Sequence, residues 1–438
     1  MSQRIFALVD ATAFYASCEQ VFSATLRHCP VVVATNNDGC IAALNAAAKG
    51  VGLQRGMPLF QCRTMLERHQ VEVFSSNYPL YASMSERMAA LLAPFSLQPL
   101  ERYSIDESFA DISHVPVEGL ADYGHAIRET ILRATGLPVT VGIAATKVLC
   151  KVSLRIIKQR PEVRGVLSLV SMSSEELDAM LMQISAEDLW GIGPRSGKKL
   201  LEAGIVTAKA FRDASPTWVR QILHVTGRRV QLELQGVSCL PLEPIPAPKQ
   251  QLATARSFGR LVADLPTLES AVATYTAMTA VRLRRQGSQA RQLTVFLHPV
   301  RSPPHDGSRR QSASSVMATQ VLPVPTASTP DLLAVALALL RGLYRPGSAY
   351  RKAGVWLKDI TPQAVIQPDL FNAFNEDRAQ RNRRLMHAID TINEQWGPDT
   401  IFFGIQGIPA QRRWHMRQAR RSARCTTRWE ELLVVYAR

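Results

Sequence analysis

Short apolar runs alternate with amphipathic stretches through the first half of the chain. Residues 5–9 are continuously apolar and stop at Asp10, the pattern of a buried strand that delivers a carboxylate at its C-terminal end. The spacing over 13–22 predicts a helix. Residues 30–34 (PVVVA) form a second β-branched run, closed by the turn-like NNDG at 36–39. Small residues of helical composition follow over 40–49. A helix is expected over 81–92, a strand pair over 102–112, a strand over 139–143 (VTVGI) and a helix over 147–158. From 173 to 236 the pattern is all-helical. The segment LEPIPAPK at 242–249 contains three prolines and reads as a tether. Beyond it, strands at 293–297 and 354–357 and helices at 268–285 and 331–343 suggest an α+β unit, with a Pro/Gly/Ser/Arg-rich mobile loop at 302–315. A further helix is expected over 378–392. The fold class expected overall is α+β, without internal repeats.

A chain of 438 residues suggests two to four domains at roughly 100–200 residues each. Its 46% hydrophobic and 20% charged residues are an ordinary globular mixture. No apolar run reaches the ~18–20 residues of a membrane span. Asp10 interrupts the N-terminal run where a signal peptide would still be apolar. The seven cysteines never form C-x-x-C, which argues against a disulfide framework or zinc cluster and suits a reducing cytoplasm. The net charge of +15 is unevenly placed: +2 over 1–250, +9 over 251–360 and +4 over 361–438. A solubility effect would be spread out. A concentrated excess is the footprint of a protein that grips a polyanion, nucleic acid above all.

Three acidic residues stand out. Asp10 follows an apolar run, and Asp106 and Glu107 lie in RYSIDESFADI among Tyr103, Ile105 and Phe109. Converging carboxylates can hold Mg²⁺, which prefers oxygen ligands. Adjacent strand residues point to opposite faces, so Asp106 and Glu107 can share a site only at a turn or bulge. A surface turn with two solvated acids remains the plain alternative. A second group is Trp190-Gly191-Ile192-Gly193, followed by a helical pattern with Lys198 and Lys199. Gly-x-Gly lets backbone approach a phosphate closely, with the next helix's N–H groups aimed at it. An ordinary interhelical turn would read the same way.

FALVDATAFYASCEQVF (6–22) and YSIDES (103–108) resemble the two metal-binding motifs of the Y-family (translesion) DNA polymerases. VTVGIAATKVLCKVS (139–153) resembles the family's third palm segment. The similarity extends through SSNYPLYASMS, DLWGIGPRSGKKL, RSFGR, KAGVWL and FFGIQG, nearly the whole chain, and points to the UmuC branch, the catalytic subunit of bacterial DNA polymerase V. The resemblance implies two Mg²⁺ ions held by Asp10, Asp106, Glu107 and the carbonyl of Ala11. It sets Ala13, Phe14 and Tyr15 at the incoming nucleotide, with Tyr15 as a steric gate against a ribose 2′-hydroxyl. Lys49 and Lys158 fall at triphosphate-binding positions. The chain departs from the family at Ala46, where a tyrosine is usual, and at Lys49, where an arginine is usual. Leu44 stands where the UmuC branch has an arginine.

By the same resemblance, Gly191, Gly193, Lys198 and Lys199 belong to a DNA-binding helix-hairpin-helix, and Arg256 contacts DNA. QPDLF at 367–371 resembles the peptide by which bacterial polymerases dock on the sliding clamp, with Leu370 and Phe371 as apolar anchors and Gln367 as the directional contact. The implied architecture is a right hand. Palm and fingers would occupy 1–165 (fingers about 26–74), a helical thumb 166–241, a little-finger domain 250–360, and a clamp- and partner-binding region 361–438. Small residues at Gly39, Cys40, Ala42, Ala43 and Gly56 would form a loose roof over the nascent base pair. Expected partners are primer–template DNA, deoxynucleoside triphosphates, the sliding clamp, a processed UmuD-like protein and a recombinase filament, with no membrane. Two other classes compete: a two-metal palm enzyme such as a nucleotidyl cyclase, and a non-catalytic DNA-bound SOS scaffold. The basic 251–360 stretch disfavours the first, and the intact carboxylates disfavour the second. The arginine-rich 412–428, with Trp414 interleaved, suggests no particular chemistry.

Overall fold

The computed structural model describes residues 4–300, 315–363 and 376–434. The chain divides into two units, one of Met1–Thr35, Gly39–Pro246 and Arg420–Arg438, the other of Asn36–Asp38 and Ala247–Ala419. No helix among the described residues is long and apolar enough to cross a membrane.

In the first unit the order is β1 (Phe6–Ala11), α1 (Phe14–Val21), β2 (Val31–Ala34), β3 (Ile41–Leu44), α2 (Ala46–Gly50), α3 (Arg63–Arg68), β4 (Glu72–Ser75) and α4 (Tyr78–Leu92). Then come β5 (Glu101–Arg102), β6 (Glu107–Asp111), α5 (Leu120–Thr135), β7 (Val139–Ala144), α6 (Lys147–Gln159) and β8 (Val166–Ser168). Four helices close the unit: α7 (Ser174–Met182), α8 (Pro194–Glu202), α9 (Ala208–Asp213) and α10 (Pro216–Leu234).

A five-stranded sheet has the order β5-β6-β1-β7-β8, with β1 at its centre and antiparallel to both β6 and β7. Every residue of β1 is buried, which explains why it reads as a continuous apolar run and not as an alternation. Ala7, Val9 and Ala11 pack with Phe14, Tyr81, Met84, Met88, Ile127 and Ile131 on one side. Phe6 and Leu8 pack with α6 and the helices of 174–234 on the other. A small sheet of order β3-β2-β4 encloses its own core around Ile41, Leu44 and Leu53.

The helix expected over 40–49 starts only at Ala46. Residues 41–44 are instead strand β3, with Val32 opposite Leu44 and Val33 opposite Ala43. Alanine-rich composition favours helix weakly, and pairing with the fully buried β2 overrides it. The proline-containing 242–249 has no regular structure.

The second unit contains β9 (Leu252–Val262), α11 (Leu265–Arg285), β10 (Ser288–Val300), β11 (Val316–Thr326), α12 (Thr329–Leu343), β12 (Ala349–Pro362) and α13 (Glu376–Trp396). Its antiparallel sheet has the order β11-β10-β12-β9. Leu293, Val295 and Leu297 of β10 and Ala353, Val355 and Leu357 of β12 share one core with Leu268, Val272 and Tyr275 of α11 and Leu332, Ala336 and Leu340 of α12. The alternating residues Lys352, Trp356 and Lys358 therefore take the opposite face. Strand β11 is an edge, and its prolines 323 and 325 fall where the pairing register with β10 shifts. Arg284 fixes α13 to α11 through two bonds to Asp390, at 2.6 and 2.8 Å. Except for Ser315, the loop expected at 302–315 lies outside the described residues, as does all of 364–375.

Candidate active site

Asp10 lies on β1 directly opposite Glu107 of β6, so the two carboxylates share a face of the sheet. Asp106 precedes β6 in a bend and escapes strand alternation, which is how neighbouring acids reach one place. The bend is pinned by the Ala11 amide donating to the Asp106 carbonyl at 2.9 Å. Ser104 donates its hydroxyl to Asp106 Oδ1 at 2.5 Å and accepts the Asp106 amide at 3.2 Å. Two lysines of α6 face this group: Lys158 Nζ is 2.5 Å from Asp10 Oδ2, and Lys151 Nζ is 2.7 Å from Glu107 Oε2.

The Asp10 side chain is only 7% exposed. Burial raises its pKa above the usual aspartate value; Lys158 opposes that rise, while the charges of Glu107 and Asp106 add to it. Desolvated, mutually repelling carboxylates form an all-oxygen donor set that a hard divalent cation would relieve. Among the described residues, no three His, Cys, Asp or Glu side chains are drawn together as chelating groups. Asp10 and Glu107 are turned instead onto their lysines.

Ala13 caps α1 in the left-handed region, at φ 49°. The next residue, Phe14, is buried, and Tyr15 is half-buried. The Tyr15 ring stacks on Tyr81 at 4.5 Å and 13°, and Tyr78 meets its edge at 6.0 Å. Lys49 is exposed near the end of α2, and no ion pair forms on it among the described residues.

Gly191 has φ +94°, and a Cβ there would stand 2.8 Å from Val230 Cγ2, so glycine is required on two counts. Gly193 is the N-cap of α8, which carries Lys198 and Lys199. Lys198 is exposed, 3.8 Å from Glu202, and Lys199 reaches the Ile222 carbonyl at 3.4 Å. Trp190 packs inward, donating to the Tyr103 hydroxyl at 2.8 Å.

Arg256 is half-buried on β9. It pairs with Ala353, a core residue beneath α11, and so lies on the helix-covered side of its sheet. Lys352 and Lys358 occupy the open face, with Lys358 3.7 Å above the Trp356 ring. The alternation of β9 is irregular, so the motif RSFGR alone could not reveal this. Trp414 is likewise a core residue, donating to Ser270 Oγ at 3.0 Å, and Arg412 is buried against Asp399 at 2.7 Å. Gln367, Leu370 and Phe371 lie outside the described residues.

Lys151 lies in the third palm segment without a role assigned to it there, yet Lys147, Lys151 and Lys158 follow an i, i+4, i+11 spacing that puts them along one helix face. Glu19 and Tyr81 lie in segments that resemble the family but take no role from them, because each reads as an ordinary helix residue. They are joined in the core by a 2.6 Å hydrogen bond from the phenol.

This fold is similar to those of Y-family DNA polymerases. A Dbh–Dpo4–Dbh chimera of that family matches with a TM-score of 0.62 and 22% identity, over 81% of this chain and 99% of that one. The insertion ternary complex of Dbh DNA polymerase matches with a TM-score of 0.52 and 21% identity, over 81% and 99%. The architecture is thus the right hand of a Y-family polymerase. In sequence, the impB/mucB/samB family model matches residues 9–155 and its C-terminal-domain model matches 249–370. A domain of unknown function (DUF4113) matches 383–435. Protein ImpB of Salmonella typhimurium is 38% identical over 98% of this chain and 99% of its own length. Protein UmuC of Salmonella typhimurium (strain LT2) is 38% identical over 98% and 100%. DNA polymerase IV of Halobacterium salinarum is 27% identical over 82% and 85%. The chain belongs to the impB/mucB/samB family, as a UmuC-type Y-family DNA polymerase.

Proposed function

We propose that this polymerase carries out its error-prone synthesis across damaged DNA where β1 meets β6, with Asp10, Asp106, Glu107 and the Ala11 carbonyl as ligands of two Mg²⁺ ions. The carrying observation is the register: Asp10 faces Glu107, and Asp106 is pinned beside them by the Ala11 amide. Bound at this donor set, a metal pair would stabilise the attacking 3′-oxygen and the departing pyrophosphate oxygen of an in-line displacement.

The chain's own groups do the rest. Lys158 and Lys151 pair with the carboxylates and offset their charge. On entry of a deoxynucleoside triphosphate, Lys158 leaves Asp10 for the phosphates, where Lys49 adds a second cation. Ala13 and Phe14 bring the backbone beside the nucleotide, and the Tyr15 ring meets a 2′-hydroxyl if one is present. Small residues at Gly39, Cys40, Ala42, Ala43 and Gly56 leave room for a distorted template base. Gly191, Gly193, Lys198, Lys199 and Arg256 hold the duplex backbone without reading sequence, and the open-face Lys352 and Lys358 add to that grip. Gln367, Leu370 and Phe371 dock on the sliding clamp. A processed UmuD-like protein and a recombinase filament complete the assembly in the cytoplasm, on the nucleoid.

Primer extension tests the site. Asp106→Ala should abolish Mg²⁺-dependent extension and leave primer–template affinity within about twofold, because the phosphate contacts lie elsewhere. Near-normal extension would refute the assignment.

A further inference from the structure

Residues 420–431 near the C-terminus lie against the fold of the first unit. Ser75, the last residue of β4, donates its amide to the Arg420 carbonyl at 2.9 Å, and the Arg420 amide donates to Ser75 Oγ at 3.0 Å. Two residues on, Asn77 is fully buried and stands at the N-cap of α4. An asparagine there ordinarily turns its side chain back to bond the first turn of its helix. This one makes no capping bond. Its Nδ2 donates to Ser422 Oγ at 2.8 Å, to the Ser422 carbonyl at 3.1 Å and to the Ala423 carbonyl at 3.2 Å. The segment is closed on itself by Arg424, which bonds Glu431 through its backbone amide and its guanidinium.

The contact continues inward. Ser422 also bears on Glu19, a residue 4% exposed on α1, as one of the two groups that hold its carboxyl's pKa down against burial. Its hydroxyl accepts from Asn77, so its proton is free to be given to Glu19. The same carboxylate accepts the phenol of the fully buried Tyr81 at 2.6 Å. Tyr81 in turn lies flat against the Tyr15 ring. Burial pushes the Glu19 pKa up, and the donors from Tyr81 and Ser422 oppose it. A desolvated carboxylate held by two donors has little freedom. With one donor gone, it must rotate or take a proton, and Tyr81 loses its fixed partner.

We propose that the C-terminal segment is a positioning element for Tyr15, acting through Ser422, Glu19 and Tyr81, so that sugar discrimination at the active site is set in part from the far end of the chain. The inference rests on the reading of Tyr15 as the steric gate. It gives the region matched by a domain of unknown function a specific role, that of keeping the gate ring upright.

The test is primer extension by the full chain, comparing kcat/KM for ribo- and deoxynucleotides in wild type, Ser422→Ala, Ser422→Thr, Tyr15→Ala and the Tyr15→Ala/Ser422→Ala double variant. Ser422→Ala should raise the ribo-to-deoxy ratio about three- to tenfold, the net worth of one ordinary hydrogen bond, with deoxynucleotide use within about twofold of wild type. Ser422→Thr keeps the hydroxyl and should restore the ratio. The double variant should match Tyr15→Ala alone, since without the ring the segment has nothing to position. An unchanged ratio in Ser422→Ala beside a raised ratio in Tyr15→Ala would overturn the positioning role and leave the gate standing. An unchanged ratio in Tyr15→Ala would overturn the gate reading and the inference with it. An additive double variant, or loss of deoxynucleotide use in Ser422→Ala, would show that the segment acts elsewhere and overturn the proposal.

Discussion

Lys147 at the start of α6 is a buried cation whose removal should be costly. Its Nζ donates to Glu101 Oε1 at 2.8 Å, to Glu101 Oε2 at 2.6 Å and to the Pro241 carbonyl at 3.2 Å, which uses all three ammonium hydrogens. It also lies 5.1 Å from the centre of the Phe109 ring. The two side chains are 4% and 10% exposed, so water cannot replace a missing partner. Glu101 would keep only the Glu243 amide, at 2.9 Å. Breaking a buried pair from one side costs ~3–5 kcal/mol, a large share of the ~5–15 kcal/mol that holds a typical domain folded. Lys147→Met should therefore lower the free energy of unfolding by that amount, read as a lower urea midpoint at constant m. Lys147→Met/Glu101→Leu should recover most of it, because two apolar groups leave no stranded charge. Glu101 on β5 is paired with Phe109 of β6, so the single variant should also lose extension activity on warming before the wild type does. A loss under ~1 kcal/mol for Lys147→Met would refute the reasoning, since an exposed pair is worth no more than that.

Lys198→Ala should flatten the log–log salt dependence of DNA binding by roughly 0.9, one phosphate's worth, while leaving sequence preference unchanged; an unaltered slope would remove Lys198 from the DNA contact. Replacing both Leu370 and Phe371 with alanine should weaken clamp binding at least about tenfold, as each buried anchor is worth ~1.5–3 kcal/mol. Extension without clamp should not change, and equal clamp stimulation of variant and wild type would reject the motif. The carboxyl of Glu431 is held down to about 2 by hydrogen bonds from Arg424. Its contribution to docking 420–431 is present above the ordinary glutamate value of 4.5 and lost as pH falls through about 2. Carbon-detected NMR should show this glutamate titrating last, and an ordinary titration would mean the loop is open in solution.

The strands and helices that read clearly from sequence are those whose burial is one-sided or complete. β1 and β2 are buried throughout and stand out as apolar runs. α6 shows itself by helical periodicity and ends one residue beyond its expected limit, at Gln159. β9 and β11 do not stand out, because their exposed residues are mixed and their burial does not alternate cleanly. The carboxylates are legible by motif, and the requirement for a turn at Asp106 follows from strand geometry alone. What connects Glu19 to Ser422, or Lys151 to Glu107, is not legible. Those pairs depend on long-range register, and a single glutamate or lysine on a helix has no signature of its own. The arginines of 412–428 illustrate the same limit: Arg412 is buried on Asp399 and Arg424 is closed on Glu431, roles that charge counting cannot distinguish from a solvated face.

The edge strand β11 has a bearing on how this protein behaves when many copies are present. Val316, Met317 and Val321 are exposed along it, beside backbone groups that no further strand covers among the described residues. Such an edge is a template for cross-chain pairing and fibrous association. Prolines 323 and 325 interrupt it, each lacking the N–H that an incoming strand would need, and they sit at the register shift where β10 loses little by their presence. The edge thus blocks its own extension, a safeguard against aggregation built from two residues that take no part in chemistry.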